Sequence, residues 1–465
     1  MRNDPSYPPL HKNTILIWSK ILAVPISIDR RVWTMAMDSI FARPAEQVAY
    51  RLAQLADPDL SLPRPRPHEA AGLASGYSGC ALALLYAGQV LNAPDLTESA
   101  RALLKQAADT TVVHAIHQPG LHNGLCGFTA VLAEFAGQEP RYLPTLRRLA
   151  DQLGTKLLET TRSRPGDGLP FTAYDLISGA AGQLATTVRL LTMMDSPPES
   201  MSNAAEHLAD YLMQITDIDE HGRPGWLITP DRYPIGFSWY GERSPHGMYN
   251  LGLAHGLPGI LAALCTAARA GIGGTPVAER VRELALWLSE HTCETATGPA
   301  WPTAFNARPG DRTLEYDPHS RPARTAWCYG APGVTAALFS AAAVADLPQV
   351  TEVATAALRN VRHTNSHDRN VFSVTLCHGR AGIAASAHRA YRMTGIEEFS
   401  RMRDEELEVA ISHADPTRPF IFADEPQHGE YIDDPGFLTG AAGVLLSLLS
   451  PLDPKRTAWD ALLFL

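Results

Sequence analysis

Two cysteines and two histidines carry most of the chemistry in this chain: Cys328 in Trp-Cys-Tyr-Gly, Cys377 and His378 in Cys-His-Gly, and His255 in Ala-His-Gly. Two thiolates and an imidazole form a donor set that suits zinc. Three protein ligands leave the fourth tetrahedral position to water or substrate, as in a catalytic site; a structural site normally closes with a fourth Cys or His. His255 could be that fourth ligand, but an imidazole titrating near neutrality is better used as an acid and base facing the metal. Asp175, four residues before Gly179, offers a carboxylate to orient a histidine or receive a proton. Arg324, four residues before Cys328, offers a fixed cation for a developing oxyanion, and Tyr329 lies beside them. Each residue also has a plainer reading: buried cysteines, a core histidine, a helix-start aspartate, an arginine in a surface ion pair.

Register weighs against the plainer readings. Seven copies of Gly-x-x-Gly, starting at Gly76, Gly124, Gly179, Gly256, Gly330, Gly379 and Gly440, each lead into an apolar stretch. Immediately before them stand Ser75, Asn123, Ser178, His255, Tyr329, His378 and Thr439, and one place further back Ala74, His122, Ile177, Ala254, Cys328, Cys377 and Leu438. Equivalent slots of a repeat occupy equivalent places in space. Cys328 and Cys377 therefore fall side by side in adjacent units, with His378 and His255 near them, and no neighbouring unit offers another Cys or His in the cysteine slot. Ser75, Asn123, Ser178 and Thr439 are residue types that cap helices. His255, Tyr329 and His378 are poorer caps, an expected cost of about 1 kcal/mol in each of those units.

The elements that must position these side chains are helices. Stretches 44–56, 96–114, 142–161, 201–217, 276–292, 349–364 and 399–413 carry charges at helical spacing and predict outer helices with one wet face. Stretches 79–91, 127–137, 182–194, 259–271, 333–345, 382–395 and 443–450 are rich in Ala, Leu and Val and predict buried inner helices. The expectation is an all-α fold, an α/α-barrel or toroid of seven outer and seven inner helices, with the glycines where inner helix starts crowd one mouth. Residues 44–465 read as a single domain, and 1–43 as an N-terminal extension with Met35 or Met37 as alternative starts. Its apolar stretch 14–28 is interrupted by Lys20, lacks a convincing cleavage site and is too short to span a bilayer. Two insertions, 218–248 and 294–324, rich in Pro, Gly and aromatics including Trp226, Tyr233, Phe237, Trp239 and Tyr240, predict loops or hairpins over the mouth. They would either receive an extended peptide or simply shield the helix ends.

Composition narrows the partners. With 39 Lys and Arg against 49 Asp and Glu, the formal charge is −10, which argues against nucleic acid. Six scattered cysteines lack the density of a disulfide scaffold and point to a reducing, cytoplasmic compartment. Four of them, Cys80, Cys126, Cys265 and Cys293, read as small core residues.

Ala-His-Gly-Leu-Pro-Gly (254–259), Trp-Cys-Tyr-Gly (327–330) and Cys-His-Gly (377–379), in this order on a seven-fold frame, resemble the LanC family of lanthipeptide (lantibiotic) cyclases over residues 45–465. The resemblance implies an α/α-barrel, one Zn2+ held by Cys328, Cys377 and His378, and catalytic roles for His255 and Asp175 with Arg324 and Tyr329 nearby. It implies a dehydrated precursor peptide as substrate and (methyl)lanthionine thioether rings as product. A dehydratase and an exporter are further candidate partners, and a complex with them would bring the protein to a membrane. Three alternatives stay open: addition of glutathione to dehydrated residues at the same site, a zinc-stabilised scaffold without catalysis, and a carbohydrate-active barrel. The last would want paired carboxylates at the mouth, where the slots offer His and Cys.

Overall fold

The computed structural model describes residues 39–113, 116, 118–160, 162–163, 168–234, 239–364, 366–453 and 458–465. The expected extension and its apolar stretch lie outside them, apart from 39–43. Outer and inner helices alternate along the chain. The outer set is α1 Ala42–Ala53, α3 Pro94–Val113, α5 Leu143–Glu159, α7 Glu199–Thr216, α9 Gly274–Glu290, α11 Pro348–His363 and α13 Glu397–Ser412. The inner set is α2 Tyr77–Val90, α4 Leu125–Gln138, α6 Ala180–Met193, α8 Leu257–Arg269, α10 Ala331–Ala345, α12 Arg380–Thr394 and α14 Ala441–Leu449. In α5 the buried residues are Leu146, Ala150, Leu153, Gly154 and Leu157, one helical face with the charges opposite. In α14 every residue is buried, so the helix has no wet face, and its one polar side chain, Ser447, donates to Ala381 O at 3.2 Å.

Backbone hydrogen bonds close the toroid. Ala74 N–H donates to His122 O, His122 to Ile177, Ala254 to Cys328, Cys328 to Cys377, Cys377 to Leu438, and Leu438 back to Ala74, at 2.8–3.2 Å. Between the third and fourth units the donor slips by one residue, Leu176 N–H reaching Ala254 O. The ring passes through the slot two residues before each Gly-x-x-Gly.

The second glycine of each motif is set against this ring. A Cβ on Gly79, Gly127, Gly182, Gly259, Gly333, Gly382 or Gly443 would lie 1.9–2.4 Å from the carbonyl oxygen six residues earlier. It would also press the preceding unit: 2.9 Å from Leu73 Cβ at Gly127, 2.8 Å from Leu253 Cβ at Gly333, and, closing the circle, 2.8 Å from Phe437 Cβ at Gly79. Only glycine lets inner helices approach so closely.

The expected capping by Ser75, Asn123, Ser178 and Thr439 does not occur. The first glycine itself is the N-cap of each inner helix, and none of these helices has a side-chain cap. First-turn N–H groups instead donate to carbonyls seven residues earlier: Tyr77 to Ala70, Leu125 to Gln118, Ala181 to Tyr174, Ala381 to Val374 and Ala441 to Asp434, at 2.8–3.1 Å. In α8 and α10 a proline occupies the first turn, where its missing N–H costs nothing. Thr439 Oγ1 donates to Asp434 Oδ2 at 2.6 Å. The capping cost expected at His255, Tyr329 and His378 therefore does not arise.

The two insertions join. β1 (Met248–Asn250) pairs antiparallel with β4 (Ala304–Ala307), which pairs with β5 (Leu314–Glu315); β2 (Cys293–Thr295) and β3 (Gly298–Ala300) form a separate hairpin. Trp226 is buried between Tyr249 and Trp287, and Tyr240 is buried against Tyr233. These aromatics pack inward rather than forming an open peptide surface, while Phe237 lies outside the described residues. Among the described residues no helix is long and apolar enough to cross a membrane.

Candidate active site at the inner helix starts

Cys328 and Cys377 sit next to each other because they occupy the same slot of adjacent units, joined by the 3.1 Å bond from Cys328 N–H to Cys377 O. Their thiols share a hydrogen bond. That bond, donated by Cys377, holds the Cys328 thiol below its ordinary range against the effect of burial, with His378, Arg324 and His255 adding to it. The same bond and burial push Cys377 well above its ordinary range. All six cysteines are free of disulfides, and burial raises Cys80, Cys126, Cys265 and Cys293. Those four are core residues.

His378, one residue on, is fixed by Asp424. Its Nε2 lies 3.0 Å from Asp424 Oδ1, which also accepts from Ser373 Oγ at 2.6 Å and Thr375 Oγ1 at 3.2 Å. Burial pushes Asp424 up, but the bonds from His378, Ser373 and Thr375 outweigh it and hold the carboxyl below its ordinary value. Engaging Nε2 leaves Nδ1 as the ring nitrogen available to a ligand, the carboxylate–histidine arrangement that supports metal-bound imidazoles.

His255 points at Asp175. Nδ1 is 2.6 Å from Asp175 Oδ2, and Asp175 Oδ1 accepts the backbone N–H of Ser178 and of Gly179, both at 2.7 Å. The carboxylate is fully buried, while the His255 side chain is 26% exposed. The acceptor role of Asp175 assigns the proton to Nδ1 and leaves Nε2 as the free base. Phe171 packs on the imidazole at 4.6 Å between centroids, and the Tyr329 ring lies at 6.2 Å.

Tyr329 is held by Asn250, whose Nδ2 donates to its hydroxyl at 3.0 Å, and by Tyr240. Its ring fills the place where Gly252 would carry a side chain, 2.5 Å from an ideal Cβ. Burial raises its pKa well above the ordinary value. Both anchors come from the first insertion and β1, so the insertion supports the mouth. Arg324 is half-buried and close enough to the cysteines to favour their thiolates.

All seven expected site residues thus gather at one side of the mouth. Two further residues belong with them. Asp424 lies between α13 and α14, outside the repeat frame, and nothing in the sequence marks it. His122 was visible in the cysteine slot of the second unit, across the ring from Cys328. It is fully buried, stacked on Phe437 and edge-on to Trp327, and neither ring nitrogen has a partner among the described residues.

The donor set fits zinc by its chemistry: two adjacent thiols, one already favouring the thiolate, and an imidazole oriented by a carboxylate. Among the described residues no three or more His, Cys, Asp or Glu side chains stand in a group that could hold a metal ion as they are placed here.

A profile of the family described as "Lanthionine synthetase C-like protein" matches residues 68–464. The solved structure of nisin cyclase shares the fold, with 18% identity, a TM-score of 0.72, and 91% of this chain and 96% of that chain covered. Cellobiose 2-epimerase from Bacillus thermoamylovorans is a weaker match, with 10% identity, a TM-score of 0.45, and 89% and 99% covered.

Proposed function

From the premise that the chain belongs to the lanthionine synthetase C-like family, we propose that it closes thioether rings in a dehydrated peptide by adding a cysteine thiol to dehydroalanine or dehydrobutyrine. The observation that carries this reading is the pairing of a partly exposed, Asp-held imidazole with a Cys-Cys-His donor set in one mouth.

Cys328, Cys377 and His378 would hold one zinc ion, with Asp424 orienting His378. Zinc there would supply Lewis acidity, lowering the pKa of a substrate thiol from about 8.5 and fixing the direction of its sulfur. His255 Nε2 takes the thiol proton, and the Asp175 carboxylate stabilises the resulting imidazolium. The sulfur lone pair forms the C–S bond at Cβ of the dehydroamino acid while the alkene π pair moves toward the carbonyl, giving an enolate. Arg324 is the cation for that oxyanion. His255 then returns the same proton to Cα, so the addition is balanced with no other reactant. Tyr329, anchored by Asn250 and Tyr240, walls the imidazole and limits the face from which the proton arrives.

The test is incubation with a synthetic peptide holding one cysteine and one dehydroalanine, with and without glutathione. Loss of free thiol at unchanged mass supports ring closure; a glutathione adduct formed in its place supports the intermolecular reaction. Thiol loss no faster than without protein would leave a scaffold role.

A further inference from the structure

The hole of the toroid is filled behind the ring. The segment Ala458–Leu463 and the two residues after it run inside the inner helices, where Trp327 Nε1, next to Cys328, donates to Leu463 O at 2.9 Å. Between this segment and the middle and later turns of α6, α8, α10 and α12 lies a cavity of about 270 Å³, on the side away from the mouth. Ala185, Val188, Ala262, Leu462 and Phe464 make most of its wall apolar.

The charged side chains of this cavity are all cations. Arg189, Arg269 and Arg389 line it, and among the described residues no Asp, Glu or His does. Arg189 is paired with Glu134, whose other oxygen accepts from Tyr86 at 2.9 Å, and also donates to Ala458 O at 3.1 Å. Arg269 donates to Ser340 O at 2.9 Å and is otherwise open to solvent. Arg389 differs from both. Among the described residues its guanidinium makes no hydrogen bond and no ion pair with any carboxylate, that of Leu465 included, and its Nε is buried without a partner. Burial pulls its pKa below the ordinary value; the charge of Asp460 opposes this, and Arg392 and Arg269 add to it. Asp460 is itself bonded to Arg392 at 3.3 Å.

A hydroxyl in the cavity is unused as well. Thr186, Thr192 and Thr266 donate to carbonyls of their own helices at 2.8–3.0 Å, whereas Ser340, 6% exposed on α10, has no bond from its hydroxyl among the described residues. Burying a guanidinium even in part without a counter-charge is costly, and its planar fork matches the two oxygens of a carboxylate. One unpaired cation and one hydroxyl suit a single negative charge. The apolar wall asks for a hydrocarbon body behind it.

We propose that this cavity binds a small aliphatic monocarboxylate, its oxygens on the Arg389 guanidinium and the Ser340 hydroxyl and its chain against Val188, Leu462 and Phe464. Arg269, unpaired with any carboxylate among the described residues, adds to the positive field that draws the anion in. The site is independent of the chemistry at the mouth.

Calorimetric titration of the full-length protein tests it with hexanoate, with hexan-1-ol, which keeps the chain and lacks the charge, and with inorganic phosphate, which keeps charge and lacks the chain. Hexanoate should bind saturably and raise Tm, and the other two should each bind at least about tenfold more weakly. Arg389→Met keeps a long side chain without the charge and should weaken hexanoate about 10- to 100-fold, the scale of a charge-assisted pair. Ser340→Ala leaves every arginine in place and should weaken it about three- to tenfold. Three results overturn the proposal: no saturable hexanoate binding by the parent, hexanol or phosphate bound as tightly as hexanoate, or an affinity within about twofold of the parent in folded Arg389→Met. If Arg389→Met does not fold, Ser340→Ala decides by the same criterion.

Discussion

His255 Nδ1 lies 2.6 Å from Asp175 Oδ2, while the other Asp175 oxygen holds the two backbone N–H groups that lead into α6. One buried carboxylate thus fixes both the tautomer of the His255 imidazole and its own loop at the start of α6. In Asp175→Asn the amide oxygen can keep the backbone bonds, but its NH2 group faces Nδ1 and forces the proton to Nε2. The free base is lost, and so is the charge that stabilises the imidazolium. We expect kcat for cyclisation to fall about 10²- to 10⁴-fold, with zinc content and Tm nearly unchanged. A kcat within about threefold of the parent, on the same scale, would remove Asp175 from the proton transfer.

Cys328→Ala or Cys377→Ala should abolish zinc binding and cyclisation together, because two ligands cannot close a stable site. Metal analysis of the purified variants checks this. His255→Ala should keep its zinc and lose turnover or stereocontrol; wild-type cyclisation by that variant would exclude His255 as the acid.

Asp424→Asn removes the charge that orients His378. Zinc affinity measured by chelator competition should weaken about 10- to 100-fold, the usual consequence of losing a carboxylate behind a ligating histidine. Unchanged competition would confine Asp424 to holding the loop.

Two glycines of α4 should respond oppositely to alanine. A Cβ on Gly127 would lie 2.0 Å from Leu121 O, so Gly127→Ala should cost about 3 kcal/mol or more. Gly137 has nothing within 4 Å, and Gly137→Ala should stabilise by about 0.5–1 kcal/mol through a less flexible unfolded chain. Urea unfolding separates the two; a Gly127→Ala variant as stable as the parent would contradict the close-approach reading.

Acid should weaken the fold through buried histidines. Burial, then the charge of His255, lowers His122 to about 3; burial, then Arg403, Arg392 and Arg389, lowers His388 to about 3. An unfolded imidazole titrates near about 6.5. The unfolded chain therefore takes up protons below that pH that the folded chain refuses. The stability present above about pH 6.5 is lost as pH falls toward 3, by at most about 1.4 kcal/mol per pH unit for each histidine. His122→Phe keeps a ring between Trp327 and Phe437 without the titrating nitrogens, and should flatten the fall in urea midpoint between about pH 6 and 4. An unchanged slope would show that His122 does not set it.

The capping expectation failed for a physical reason. Ser75, Asn123, Ser178 and Thr439 are good caps by residue type, but the loop before each of their four helices doubles back and brings its own carbonyls to the first turn. Residue type reports what a side chain can do, and the path of a loop decides whether it is needed. The aromatic insertions turned out likewise: Trp226 and Tyr240 could have faced a peptide, but Trp226 is buried against Tyr249 of β1 and Trp287, and Tyr240 against Tyr233.

The sequence alone determined the seven-fold alternation of helices and the register that sets Cys328 beside Cys377, with His378, His255 and Asp175 on neighbouring units. Repeats write their packing into every copy, since each unit must bury the same faces against the next, and glycine recurs wherever backbones touch. Tertiary structure decided what has no period. Asp424 reaches His378 from a loop with no counterpart in other units, Gly252 yields its side-chain space to Tyr329, and His122 is sealed beneath the ring although it shares the cysteines' slot. Such partners are chosen by how loops from different units meet, and that meeting exists only once the ring has closed.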